Sequence, residues 1–257
     1  MNPYESEKLL HEYLLFHYGG PEEILEFDFG PVSALHFAVR TVSESASRLP
    51  GFFQEGGEPE TQALDLGCAV GRSSFELSRY FAQVLGIDFS QAFVKAAEAL
   101  RTRRELPYQK LEEGEITSPL VARLPETAHP ERVRFQQGDA CKLPDDLGPF
   151  DLVHGANLLC RLPEPQALLD RLPTLVKKGG ALILATPATW LEDYTPKDRW
   201  LGGRVVEGQA RTTLESLLRL LSPHFRLRHY QDLPFLIRET RRKFQWTVSQ
   251  LSVWQRV

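Results

Sequence analysis

Apolar positions recur along this chain at two spacings, and the change from one to the other divides it. Between residues 5 and 18 (ESEKLLHEYLLFHY), Leu9, Leu10, Tyr13, Leu14 and His17 fall on one helical face. This predicts a helix with Ser6 as N-cap and Gly19-Gly20-Pro21 as its stop. PEEIL at 21–25 begins a further turn, and Leu35, Val39 and Val42 predict a second helical segment over 30–48. Residues 50–59 are rich in Gly and Pro and read as a linker loop. From residue 61 short apolar runs alternate with helical stretches. Strands are predicted at 62–66, 83–88, 133–137, 150–154, 181–185, 226–231 and 251–255, the last with a start as early as Thr247. Helices are predicted at 73–80, 90–104, 163–176 and 212–221, with Lys177-Lys178-Gly179-Gly180 ending the third. Residues 105–131 have no clean period and read as a long insertion, functional or disordered; 187–210 read as loop.

Strands alternating with helices predict an α/β fold, a mostly parallel seven-stranded sheet with helices on both faces. No helix-length spacer separates the last two strands, so one of them is expected to run antiparallel. The 257 residues suit one domain, with residues 1–60 as an N-terminal helical cap and 61–257 as the core and a C-terminal substrate segment. A net charge of −4 with scattered cations leaves no nucleic-acid footprint, and no apolar run approaches the roughly 20 residues of a membrane span. Cys68, Cys141 and Cys160 show no metal-ligand spacing and no disulfide framework. With no secretory leader in MNPYESEKLL, the expected location is cytoplasmic.

The candidate chemistry centres on residues 63–75, ALDLGCAVGRSSF. A strand ends in Asp65, a turn follows through Gly67, Cys68, Ala69, Val70 and Gly71, and Ser73-Ser74 open a helix. Glycines let a backbone turn sharply and come close to a ligand. A parallel sheet binds ligands at the carboxyl ends of its strands. At the second such end stands Asp88, 17 residues past Gly71, where a carboxylate accepts from both hydroxyls of a ribose. At the third stands Asp139, where a carboxylate meets an exocyclic amine. Each acid alone is also what a cap or solvated loop would carry; three at successive strand ends, in register with one Gly loop, form a set. D-x-G-x-x-x-G is not the G-x-G-x-x-G of a dinucleotide site.

Over about residues 61–190 this set resembles the class I S-adenosylmethionine-dependent methyltransferases. The resemblance implies that Asp65 to Gly71 hold the methionine part of the cofactor. It implies that Asp88 and Phe89 hold the ribose side, and Asp139 and Ala140 the adenine amine and ring edge. His154-Gly155-Ala156-Asn157 would lie beside the methyl group, with Asn157 positioning it. S-adenosylmethionine is then the cofactor, S-adenosylhomocysteine the product, and no metal is expected.

The flanks resemble something narrower. YESEKLLHEYLLFHYG, FGPVSALHFAVR, GANLLCRLPEP and DLPFLIRETRRKFQW are similar to the 4-mercaptohistidine N1-methyltransferase family of ovothiol biosynthesis, from near Asn2 to near Arg256. That resemblance implies methyl transfer to the imidazole nitrogen nearer the side chain of 5-thiohistidine, giving ovothiol A. It also implies a functional link to a separate 5-histidylcysteine sulfoxide synthase, because no synthase module is present. Such a zwitterion needs a cation for its carboxylate, acceptors for its ammonium and a flat slot for its ring. Tyr4 (with Glu5), His36, Arg40, Arg161, Trp190, Arg238 and Trp246 are the candidates, and Lys243 lies nearby. Each also fits a structural role: caps for Tyr4 and Glu5, core packing for the tryptophans, a hydrogen-bonded histidine at 36. Cys68 reads as a small filler of the loop rather than a reactive thiol. Two rivals remain open: a small-molecule methyltransferase with another acceptor, and a scaffold that kept the fold without the chemistry.

Overall fold

The computed structural model describes residues 3–49 and 51–257. Met1, Asn2 and Pro50, which the expected cap and linker include, lie outside the described residues. The N-terminal segment carries α1 (Glu7–Tyr18), α2 (Pro21–Ile24) and α3 (Phe37–Ala46). Ser6 caps α1, its hydroxyl accepting the Leu9 N–H. The expected single helix over 30–48 is broken. Val32–Ala34 make one 3-10 turn, and His36 takes a left-handed conformation (φ 57°), so α3 starts only at Phe37. An L-residue in that region cannot continue a right-handed helix.

The core opens with β1 (Glu58–Leu66), α4 (Arg72–Leu77), β2 (Phe81–Asp88) and α5 (Gln91–Arg103). Residues 105–131 are ordered, contrary to one of the two expectations. They form an antiparallel hairpin of β3 (Glu105–Glu113) and β4 (Ile116–Arg123). Pro107 and Pro119 obscure the strands in the sequence; an isolated two-stranded ribbon tolerates the missing N–H groups because both of its edges are free of the main sheet.

Next come β5 (Val133–Gln137), β6 (Phe150–Ala156), α6 (Pro165–Leu175) and β7 (Val176–Thr186). The Lys-Lys-Gly-Gly run does not end α6. It belongs to β7, where Lys177 Nζ reaches Asp151 on β6 (2.9 Å). A short hairpin, β8 (Arg204–Val206) and β9 (Gln209–Arg211), interrupts the expected loop. Then α7 (Thr213–Leu221) starts from a capping box of Thr212 and Glu215. β10 (Phe225–Arg238) and β11 (Phe244–Arg256) are far longer than the strands expected at 226–231 and 251–255. They pair along their whole length, and their distal half carries the chain beyond the sheet.

The main sheet has the order β10-β11-β7-β6-β1-β2-β5. β1, β2, β5, β6 and β7 pair in parallel, and β11 is antiparallel to both of its neighbours. Alternation along each strand feeds two apolar layers. Ala63, Ala181 and Ile183 join the layer under α1, α3, α4 and α5; Leu64, Leu66, Leu182 and Leu184 join the layer under α6 and α7.

Candidate functional site

The loops that leave the carboxyl ends of β1, β2, β5 and β6 face one region, and backbone hydrogen bonds set their spacing. The N–H groups of Gly67 and Cys68 both donate to the Ile87 carbonyl (2.8 and 3.2 Å), tying the β1 loop to the end of β2. The turn then passes through left-handed Gly67, Ala69 and Gly71 (φ 69°, 47° and 85°). At Gly71 a Cβ would stand 2.6 Å from Phe135 Cζ, so no larger residue fits there.

Asp88 closes the loop from the other side. One carboxylate oxygen accepts the Ala69 N–H (2.9 Å), the other the Ser90 N–H (2.8 Å). Burial outweighs these bonds and pushes its carboxyl up to about 6. Phe89, next to it, is 61% exposed. The Gly138 N–H donates to the Asp88 carbonyl (2.9 Å), which sets Asp139 beside Asp88. Asp139 accepts the Cys141 N–H (2.9 Å), and Ala140 is buried behind it. Asp65, in contrast, is sealed inside. It accepts from Ser73 Oγ (2.7 Å), Ser74 Oγ (2.6 Å) and His154 Nδ1 (2.7 Å), so its role in this structure is to hold loop and helix together. The Cys68 thiol is buried and driven well above its usual range, first by burial and then by Asp88 and Asp65, so it stays a protonated filler.

On β6's side, Asn157 sits in a left-handed conformation (φ 55°), its N–H on the Ala185 carbonyl (2.8 Å). Its Oδ1 accepts from Ser249 Oγ on β11 (2.6 Å), so what the side chain has left to offer is its NH2 donors. Arg161 donates to the Thr189 carbonyl (3.0 Å) and lies 4.6 Å from the centroid of the Tyr194 ring.

The N-terminal strap joins the two sides. Glu5 accepts the Gln91 N–H at the start of α5 (2.8 Å), and the Tyr4 carbonyl accepts from Ser90 Oγ (2.9 Å). The Tyr4 ring packs on Tyr13 and Phe93, while its hydroxyl, pushed up to about 12 by burial and by Tyr194, bonds to Tyr194 and Arg161. Tyr18 donates to the Val70 carbonyl (2.9 Å), so α1 spans the region to the Gly loop.

Of the acceptor-side candidates, Tyr4 and Arg161 therefore meet. The others have separate places. His36 is exposed at the start of α3. Arg40 is engaged by Glu44 (2.8 Å) and the Pro234 carbonyl (3.1 Å). Trp190 is buried with its Nε1–H on Thr213 Oγ1 (2.9 Å). Arg238 is buried in an ion-pair network with Glu26 (2.9 Å) and Glu112, and donates to the Glu23 carbonyl (2.6 Å). Trp246 is exposed near the tip of β11, opposite Leu236. Tyr13, Tyr194 and Ser249 were not among the candidates; nothing in their spacing marks them, and their partners lie on other elements. A groove of about 390 Å3 between α1, the β3–β4 hairpin and the tip of β10 includes none of Asp65, Asp88, Asp139 or Asn157. Among the described residues, no group of three or more His, Cys, Asp or Glu is placed to hold a metal, and no helix is long and apolar enough to cross a membrane.

Residues 64–184, which carry this arrangement, match the family model described as a methyltransferase domain. The chain is 32% identical over 132 residues to trans-aconitate 2-methyltransferase of Deinococcus radiodurans, covering 51% of this chain and 39% of that protein. It is 26% identical over 173 residues to the ubiquinone biosynthesis O-methyltransferase of Colwellia psychrerythraea, covering 65% and 59%. A solved SAM-dependent methyltransferase from Methanosarcina mazei shares the fold, with a TM-score of 0.51 at 19% identity over 80% of this chain and 95% of that one.

Residues 64–184 carry a methyltransferase-type fold.

The seven strands of the methyltransferase fold are all present, with β11 as the antiparallel member. The chain spans 39% to 59% of the length of these two curated relatives. The strap, the β3–β4 hairpin and the long β10–β11 hairpin all reach beyond the strands of the methyltransferase domain.

Proposed function

We propose that the chain is an S-adenosylmethionine-dependent N-methyltransferase. Its proposed acceptor is the ring nitrogen of 5-thiohistidine nearer the side chain, and its products ovothiol A and S-adenosylhomocysteine. The observation that carries this reading is a convergence. The four flanking segments that resemble the ovothiol methyltransferase family lie far apart in sequence but pack together over the ligand end of the sheet. Tyr4 of the first meets Arg161 of the third; Phe16 and Phe37 of the first and second pack at a tilt on Phe235 of the fourth (6.0 and 4.9 Å between centroids); and Arg40 reaches Pro234 (3.1 Å).

The residues present fit the cofactor. Asp88 uses one lone pair of each oxygen on backbone N–H groups and keeps others for the two ribose hydroxyls. Exposed Phe89 offers a face to the adenine, Asp139 an acceptor for its amine, and the Gly67–Gly71 turn a backbone that comes close to the methionine part. When bound, the cofactor supplies a sulfonium-activated methyl group. A neutral imidazole nitrogen already has its lone pair, so the chain's task is alignment, worth up to about 7–11 kcal/mol when geometry is ideal. Asn157 donates to and orients the acceptor. Arg161, braced by Tyr194 and Tyr4, takes its carboxylate. The strap excludes water. No residue is assigned as a dedicated base; the proton on the other ring nitrogen leaves to solvent.

On this reading residues 1–60 cap a single catalytic unit in a reducing compartment, the cytoplasm, in keeping with three cysteines that are all unbridged. A separate sulfoxide synthase supplies the carbon–sulfur bond. The test is incubation of the chain with S-adenosylmethionine and 5-thiohistidine, followed by mass spectrometry of the products. Mono-N-methylated thiohistidine with stoichiometric S-adenosylhomocysteine is expected. Transfer to trans-aconitate or another thiol, amine or imidazole but not to 5-thiohistidine overturns the acceptor. No calorimetric binding of S-adenosylmethionine leaves only a scaffold.

A further inference from the structure

A chain of buried polar groups runs from the cap to the cofactor loop, and nothing in the transfer reaction uses its middle member. His154 on β6 lies in register with Asp65 on β1, both almost fully buried on the face that α3 and α4 cover. His154 Nδ1 stands 2.7 Å from Asp65 Oδ1, and His154 Nε2 stands 3.0 Å from Thr41 Oγ1 on α3. Asp65 Oδ2 accepts from both serines at the start of α4.

Asp65 takes two hydroxyl protons as a carboxylate, so the bond between it and His154 is donated from Nδ1. The Thr41 hydroxyl stands within reach of both the Ala38 carbonyl (2.9 Å) and His154 Nε2 (3.0 Å), so it closes the chain at its α3 end. Burial works to raise the Asp65 carboxyl; His154 and the hydroxyls of Ser73 and Ser74 overcome it and hold it below its ordinary value. Three further ionisable groups reach Asp65: His17 of α1, pushed down to about 3 by burial and so neutral, the buried Cys68 thiol, and Asp88 of β2.

We propose that His154 is a positioning residue that bridges Asp65 and Thr41, and through which the placement of the cap helix α3 sets the affinity of the Gly67–Gly71 loop for S-adenosylmethionine. The inference rests on the methyltransferase reading above. Breaking the chain at the Thr41 end leaves His154 Nε2 without that partner and loosens a buried link between α3 and the loop acid.

Two measurements test it on the full chain. Nitrogen-15 spectra of the histidines should show a His154 signal, assigned by its loss in His154→Gln, that shifts in Thr41→Val while the other histidine signals stay; an unmoved His154 signal overturns the bridge. Calorimetry with S-adenosylmethionine should show Kd rising roughly threefold to tenfold in Thr41→Val, the loss of one buried hydrogen bond, with recovery in Thr41→Ser. Thr41→Val binding as wild type overturns the coupling. Wild-type protein that shows the His154 signal but binds no S-adenosylmethionine overturns the methyltransferase reading instead, and the coupling with it.

Discussion

Asp88 uses both carboxylate oxygens on backbone N–H groups, and burial still holds its carboxyl up at about 6. On the proposed reading only the ionised form accepts two ribose hydroxyls. Cofactor affinity should therefore fall as pH drops through about 6, roughly tenfold between pH 7 and pH 5. Asp88→Asn should weaken binding at pH 7.5 and remove that pH dependence; calorimetry across the range reads both, and an unchanged affinity would move the ribose elsewhere. Asp65 and Asp88 were legible in the sequence because each ends an apolar run shortly before a glycine or a helix start, and Asp139 because it follows a strand and a glycine, so strand end and acid are read together. Ser249 was not, because it meets Asn157 across 92 residues and its own neighbours carry no sign of that partner. Arg238 and Trp190 were legible as a cation and an aromatic. What the sequence hid is that Glu26, Glu112 and Thr213 already occupy them.

Among the elements, α1 was the most readable and carries a charge pattern that is not. Its Ser6 cap and apolar stripe predicted it, yet Glu12 lies half-buried facing Glu239 of the β10–β11 turn. Burial, then Glu239, push Glu12 up to about 7. An acid raised in the folded state binds its proton more tightly there than in the unfolded chain, where it titrates near 4.3. Stability present at low pH is thus lost as pH rises from about 4.5 to about 7 and stays lost above it. Glu12→Gln, which mimics the protonated form, should raise the melting temperature at pH 8 and much less at pH 5. A uniform shift at both would place Glu12 outside this linkage. The β3–β4 hairpin shows the opposite case: its alternation is real, with Tyr108 and Lys110 buried, but two prolines mask it.

Across the whole molecule, a parallel sheet with one reversed strand followed from the alternation of strands with helices and from the missing spacer near the end. The length of the last two strands did not, because their distal halves are covered by the cap rather than by the core helices, and the burial pattern there departs from simple alternation. Arg238 ties that distal half to the β3–β4 hairpin through Glu112 and to the segment after α2 through Glu26. Removing it strands two carboxylates around Lys110, so Arg238→Ala should cost about 3–5 kcal/mol in urea unfolding. Cofactor affinity should change little, and an undiminished stability would show the network to be dispensable. The position of β11 has a further consequence, for the nascent chain. Residues 244–256 lie between β7 and β10, both of which leave the ribosome earlier. Until they emerge, β7 ends the sheet with an open edge, β10 has nothing to pair with, and Asn157 lacks Ser249. A ribosome-bound chain short of β11 would expose two sticky strand edges at once, each a template for pairing with another chain.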